Sequence, residues 1–204
     1  MLAIFDMDGT LADSSVVLAN AINYVRAKLD LEPLDKDIII EQINNPKCDL
    51  ARFFYNLEEI TQEHEEWFKD YYSANHDKDL VLFDGIKEML DRLKQNGIKL
   101  AIATNAYRSS TIEALKHLKI DNYFDAIVCY DDVQEPKPSP EMLLNLLDYF
   151  KEDRKNAIFI GDSQRDYLAS KSAGIAFILV DFVNKKDNPI DVARKIEEYF
   201  KIKS

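Results

Sequence analysis

Residues able to do chemistry come early in this chain of 204 residues: Asp6 and Asp8, followed directly by Gly9 and Thr10. Ahead of them Leu2–Phe5 is a wholly apolar run, the kind that forms a buried strand of a parallel sheet. A strand that ends in acids at its C-terminal edge delivers them to the crevice where open α/β sheets bind ligands. Two carboxylates about 4 Å apart repel by about 4 kcal/mol at an effective dielectric of about 20. Either one of them carries a proton or a cation lies between them. A hard divalent ion such as Mg2+, which prefers oxygen ligands, meets that need. The plain structural reading of the same residues is a polar turn capping a strand.

Groups of the same character recur downstream. Thr104-Asn105 closes the apolar run Ile98–Ala103, and Asp162 closes Ala157–Ile160, with Asp166 one helical turn further on. Lys137 follows the short run Ala126–Cys129 and is wedged between Pro136 and Pro138, which restrict the backbone around it. In a parallel sheet such strand ends converge on one face. Taken singly, each has a plainer reading. Thr104-Asn105 could be a lead-in to a helix, Lys137 a solvated loop lysine, Asp162 an N-cap and Asp166 a first-turn acid.

The elements that must position these residues follow from periodicity. From Val81 onward, apolar strands alternate with helical stretches at 85–96 (closed by Gly97), 141–150, 164–173 (closed by Gly174) and 191–201. Ser110-Thr-Ile-Glu113 reads as a capping box opening a further helix to about Leu118, and Ile175–Val180 as the last strand. That rhythm predicts an α/β core, a three-layer Rossmann-like parallel sheet. Residues 14–80 carry no strand signal. Helical spacing starts at Asp13–Ser15, and further helices are expected over 34–44, 49–55 and 61–72. A helical subdomain, 14–80, is therefore inserted into a core made of 1–13 and 81–204.

Composition bounds the function. The chain is 47% hydrophobic with 11 Phe and 10 Tyr, so a sizeable core can be buried. A net charge of −11 argues against nucleic acid or an anionic membrane as partner. No stretch approaches the roughly 20 apolar residues of a membrane span, and no signal peptide is visible. Cys48 and Cys129 stand in no metal-like spacing and read as small buried hydrophobes in a reducing, cytoplasmic setting. An acidic protein with an anionic substrate needs local positive charge at its site, which Lys137 can supply. His64 and His76 read as solvated helix-end residues and His117 as a helix-surface residue.

In order along the chain, Asp6-Met-Asp8-Gly-Thr, Thr104-Asn105, Lys137-Pro-Ser-Pro and Gly161-Asp162-Ser-Gln-Arg-Asp166 resemble the motifs of the haloacid dehalogenase-like hydrolase superfamily. The resemblance covers essentially the whole chain, since the helical insert falls where the family carries a small α-helical cap. It implies that Asp6 is a nucleophile that becomes an aspartyl-phosphate, and that Asp8 is the acid and base for leaving group and water. It implies that the Thr104 hydroxyl and the Asn105 backbone N–H bind phosphoryl oxygens, and that Lys137 neutralises both the phosphoryl group and Asp6. It further implies Mg2+ held by Asp6, the backbone carbonyl of Asp8, and Asp162, with Asp166 orienting a metal-bound water or Lys137.

Within the superfamily, retention of Asp8 favours phosphate esters, because dehalogenase relatives lack this second aspartate. Mutase relatives use a histidine early in the cap, and phosphonate-cleaving relatives a lysine early in the first cap helix. Neither is matched, since Lys28 falls near that helix's end. The expected activity is a Mg2+-dependent phosphatase of a small phosphorylated metabolite, most like phosphoglycolate phosphatases, with sugar phosphates, nucleotides or pyrophosphate as neighbouring choices. The alternatives are a phosphomutase or phosphotransferase, or a catalytically silent binding protein on the same scaffold. Substrate choice is expected from cap residues such as Asn20, Arg52 and Tyr55, with Arg52 suited to a substrate carboxylate. Oligomeric state is not legible from the residues.

Overall fold

The computed structural model describes residues 1–202, apart from the side chains of residues 76 and 77. The chain forms two compact units, Met1–Asp13 with Val81–Ser204, and Ser14–Leu80.

At the centre of the first unit lies β1 (Leu2–Phe5), every residue of it buried. It pairs in parallel with β4 (Lys99–Ala103) on one side and β6 (Ala157–Gly161) on the other, Leu2 facing both Lys99 and Ala157. With β5 (Ala126–Val128) and β7 (Ala176–Leu179) the sheet runs β5-β4-β1-β6-β7, all parallel. After β1 the chain builds outward through β4 and β5, then returns past β1 to build β6 and β7. The order therefore reverses between β1 and β6, and the crevice at such a switch point, outside the carboxyl ends of the strands, is where ligands bind in this architecture.

Strand alternation puts Leu2 and Ile4 on one face, where they join Ala101, Phe159, Met142, Leu146 and Ala169 in a core cluster. Helices α7 (Glu141–Phe150) and α8 (Gln164–Ala173) pack there. Helices α5 (Ile86–Gln95) and α9 (Pro189–Tyr199) pack against each other, α5 also against β4, through buried Met89, Leu90, Leu93, Val192 and Ile196. Arg92 of α5 donates to both carboxylate oxygens of Glu197 of α9, each at 2.6 Å.

A two-stranded ribbon lies beside the main sheet, and one local expectation in this unit is corrected. Val81–Leu82 (β3) does not enter the main sheet; it forms an antiparallel ribbon with Ala12–Asp13 (β2), Ala12 opposite Leu82. The helix expected to open at Ser110 begins two residues earlier, as α6 (Arg108–His117), with Tyr107 at its N-cap and Ser110 buried inside it. The Arg108 backbone N–H is taken by Asp131 at 2.8 Å, so the start is fixed from another loop and no capping box is needed.

The second unit is all-helical: α1 (Ser15–Lys28), α2 (Lys36–Asn44), α3 (Leu50–Tyr55) and α4 (Gln62–Asp79). Asp35 and Asp49 cap α2 and α3 through their side chains. Ile22, Val25, Ile39, Phe54 and Tyr55 form the core, with Trp67 and Phe68 packed against it. Arg26 is buried, its guanidinium donating to the carbonyl oxygens of Glu32 and Phe54. His64 is not solvated as expected. It is buried, and its Nδ1 accepts from the Thr61 backbone N–H, a donor that the start of α4 leaves unpaired within the helix. His117 is exposed as expected, and the expectation for the His76 side chain lies outside the described residues. Cys129 is buried and Cys48 half-buried. Among the described residues, no helix is long and apolar enough to cross a membrane.

Candidate active site

Four strand ends of the first unit deliver the chemistry. The Asp6 backbone N–H donates to the Ile160 carbonyl at 2.9 Å, extending the β1–β6 ladder by one rung and setting the carboxylate at the switch point. The chain then turns back on itself: the Met7 carbonyl accepts from the backbone N–H of Leu11 at 2.8 Å and of Ala12 at 3.1 Å. Gly9 makes this possible with φ +80 and with no side chain, since a Cβ there would overlap the carboxylate of Asp162. That carboxylate stands at the end of β6 and accepts from the Thr10 hydroxyl at 3.3 Å. A reversing loop after β1 thus seats the acid supplied by β6.

Lys137 is 3% exposed, and its ammonium donates to Asp6 Oδ1 at 2.6 Å and to Asp166 Oδ1 at 2.7 Å. Its backbone is fixed as well, because the Asn105 side chain accepts from the Lys137 N–H at 3.0 Å and donates to the Lys137 carbonyl at 2.9 Å. The Lys137–Pro138 peptide is cis. Thr104 is buried; its Oγ1 accepts from the Ala106 N–H at 3.1 Å, which leaves the hydroxyl proton to be donated elsewhere. Asp166 is 1% exposed, with Oδ2 receiving the Ser163 hydroxyl at 2.5 Å and the Ser163 N–H at 3.1 Å. Asp162 is not the N-cap of α8; Ser163 is.

Negative charge is in surplus here. Carboxylate oxygens of Asp6, Asp162 and Asp166 lie within 4.8 Å of one another. Burial drives the Asp6 pKa well above the usual carboxylate range; Lys137 opposes this, and the neighbouring acids Asp166, Asp162 and Asp8 add to it. Asp162 is pushed up to about 7, by burial first and then by Asp166. Burial works against charging Lys137, yet the carboxylates of Asp166 and Asp6 more than reverse that and raise its pKa. One ammonium among four acids does not balance them, and every donor is oxygen. That set fits a hard divalent cation such as Mg2+. Both oxygens of Asp166 are already engaged, by Lys137 and by Ser163, so Asp6 and Asp162 are the carboxylates suited to hold it.

The structure brings together Asp6, Lys137, Asp162 and Asp166, with Asn105 on the lysine backbone and Asp8 close enough to raise the pKa values of both Asp6 and Asp162. Asn20, Arg52 and Tyr55 belong to the other unit. Asn20 is exposed on α1, Arg52 is exposed on α3 with Nε 3.4 Å from Asp49, and Tyr55 is buried in that unit's own core. Burial pushes the Tyr55 hydroxyl up to about 12. Sequence reasoning missed the Asn105 side-chain clamp and the part played by Ser163. The second had a signal, since Ser163-x-x-Asp166 is a capping-box spacing.

A parallel α/β sheet with acids and a lysine converging at its switch point defines the class, and the chain belongs to the haloacid dehalogenase-like hydrolase family, whose model matches residues 3–180. It is a phosphatase of that family. It is 32% identical over 187 residues to a phosphoglycolate phosphatase of Agrobacterium fabrum, covering 89% of this chain and 80% of the relative. It is 28% identical over 202 residues to the pyrophosphatase PpaX of Halalkalibacterium halodurans, covering 98% and 91%. A solved haloacid dehalogenase-like family protein of Streptococcus pneumoniae superposes with a TM-score of 0.78 at 25% identity, covering 95% of this chain and 97% of that one.

Proposed function

We propose that the chain hydrolyses a small phosphorylated metabolite through an aspartyl-phosphate on Asp6. The observation that carries this reading is the Lys137 ammonium at 2.6 Å from Asp6, a buried cation beside a buried nucleophile at the switch point of the sheet. A carboxylate oxygen of Asp6 attacks phosphorus as the bond to the ester oxygen breaks, and Asp8 gives its proton to the departing alkoxide. Asp8 then takes a proton from water as that water attacks the aspartyl-phosphate, which returns Asp6 and releases inorganic phosphate. The Thr104 hydroxyl and the Asn105 N–H receive the phosphoryl oxygens, while Lys137 offsets the charge brought in by the substrate. Asp6, Asp162 and the backbone carbonyl of Asp8 would hold Mg2+, which when bound supplies further positive charge for the phosphoryl group.

The helical unit Ser14–Leu80 is assigned the choice of substrate, with exposed Arg52 and Asn20 as its candidate contacts. Similarity to phosphoglycolate phosphatases favours phosphoglycolate, with pyrophosphate as a second reading. The test is a panel of phosphoglycolate, sugar phosphates, nucleotides, pyrophosphate and an aryl phosphate, with and without Mg2+. Mg2+-dependent phosphate release that vanishes in Asp6→Asn supports the proposal. No release on any member, or full activity in Asp6→Asn, overturns it.

A further inference from the structure

Resting on the assignment of Lys137 to the phosphoryl site, we propose that Ser163 is a positioning residue. Through Asp166 it fixes where the Lys137 ammonium stands. Ser163 caps α8 in a reciprocal box: its hydroxyl donates to Asp166 Oδ2 at 2.5 Å, its N–H to the same oxygen at 3.1 Å, and the Asp166 N–H returns to Ser163 Oγ at 3.3 Å. In a capping box the side chain three residues on reaches back to the N-cap N–H and so serves the helix end. Here it is buried, and its other oxygen receives Lys137, 29 residues upstream, at 2.7 Å.

A second feature converges on the same carboxylate. Gly161 has no left-handed φ to demand a glycine, yet a Cβ there would lie 2.6 Å from both Cβ and Cγ of Asp166. The bare backbone at 161 makes room for Asp166 and the Ser163 box sets its rotation, so Oδ1 has one seat. The ammonium is shared between Asp166 and Asp6. A carboxylate that turns away from it leaves Lys137 to Asp6 alone and shifts the cation off the phosphoryl position.

If Ser163 only capped a helix, its removal would cost stability and nothing else. Asn188 supplies the control, since its side chain caps α9 by accepting from the Ile190 N–H at 2.9 Å and it belongs to none of the site motifs above. Ser163→Ala, Ser163→Thr and Asn188→Ala are compared on p-nitrophenyl phosphate with Mg2+, well below their melting temperatures. The Lys137 Nζ resonance is followed in parallel in a 15N–1H spectrum and assigned by its loss in Lys137→Arg.

Ser163→Ala is expected to lower kcat by about 10- to 100-fold with KM little changed, the size of effect that misplacement of a reacting group produces. It should shift or broaden the Lys137 signal, and Ser163→Thr should restore both. Asn188→Ala should lower the melting temperature while leaving kcat and the signal as in wild type. Equal kcat in Ser163→Ala and wild type, equal losses of kcat in Ser163→Ala and Asn188→Ala, or an unmoved Lys137 resonance would overturn the proposal. Should wild type release no phosphate, the functional reading alone fails, and the resonance still decides the role of Ser163.

Discussion

Among the described residues, each unit of this protein buries one Lys or Arg side chain, and the two are satisfied in opposite ways. Arg26, in the helical unit, donates to the carbonyl oxygens of Glu32 and Phe54, neutral groups of which the second is buried. Lys137, in the α/β unit, donates to the carboxylates of Asp6 and Asp166, with Asp162 close behind. The first arrangement spends three of its N–H donors on backbone and ties a loop and a helix to α1. The second gathers more negative charge than one ammonium neutralises, a state that a proton or a further cation relieves. A buried ionic group points to chemistry when its partners are themselves charged and mutually repelling, and to architecture when they are peptide carbonyls.

That contrast can be broken in several ways. Lys137→Met should remove turnover altogether and cost about 3–5 kcal/mol in denaturant unfolding, because it strands buried carboxylates. Retained activity would erase the distinction between the two cations. Arg26→Met should cost about 1–3 kcal/mol for the buried Phe54 carbonyl left unpaired, with faster amide exchange across α1 and α3, and should leave hydrolysis of a small aryl phosphate nearly unchanged. A collapse of that activity would show that Arg26 serves the chemistry.

Mg2+ should raise the melting temperature of wild type by mass action, about 2.7 kcal/mol at a hundredfold excess over its dissociation constant, and chelation should reverse the gain. Asp162→Asn should blunt this response while Arg26→Met keeps it; calorimetry with and without chelator reads both. The smallest effect is expected at Glu197, whose pKa is lowered chiefly by its hydrogen bonds from Arg92. A lowered acid contributes stability that is complete above the usual glutamate value of about 4.3 and fades as the pH falls through the folded-state value. Glu197→Gln should therefore melt a few degrees below wild type at neutral pH, and the gap should close in acid.

Much of the site was legible because each motif sits where an apolar run stops. β1 ends at Asp6, β4 at Thr104, β6 at Asp162, and a parallel sheet brings such ends together whatever their separation along the chain. Strand order, and so the place of Asp6 and Asp162 on either side of the switch point, required the pairing itself, because no residue of β6 announces β1 as its neighbour. The opening of α6 was misread because Ser110–Glu113 has the spacing of a capping box while the real start is set by Asp131, a tertiary partner. His64 deceived for a related reason: its spacing from Thr61 suits an exposed helix end, and only packing against Trp67 reveals that it is enclosed. The Asn105 clamp on Lys137 spans 32 positions and leaves no local trace.

The little ribbon of Ala12–Asp13 against Val81–Leu82 has a consequence for how the gene can be edited. Both crossings into and out of residues 14–80 pass through one doorway, with Asp13 directly opposite Val81. Opposed antiparallel residues stand about 5 Å apart, a gap that a two-residue Asn-Gly turn closes. The chain geometry therefore allows the helical segment to be excised and its ends sealed as a hairpin, or exchanged for a different insert through the same two-stranded ribbon.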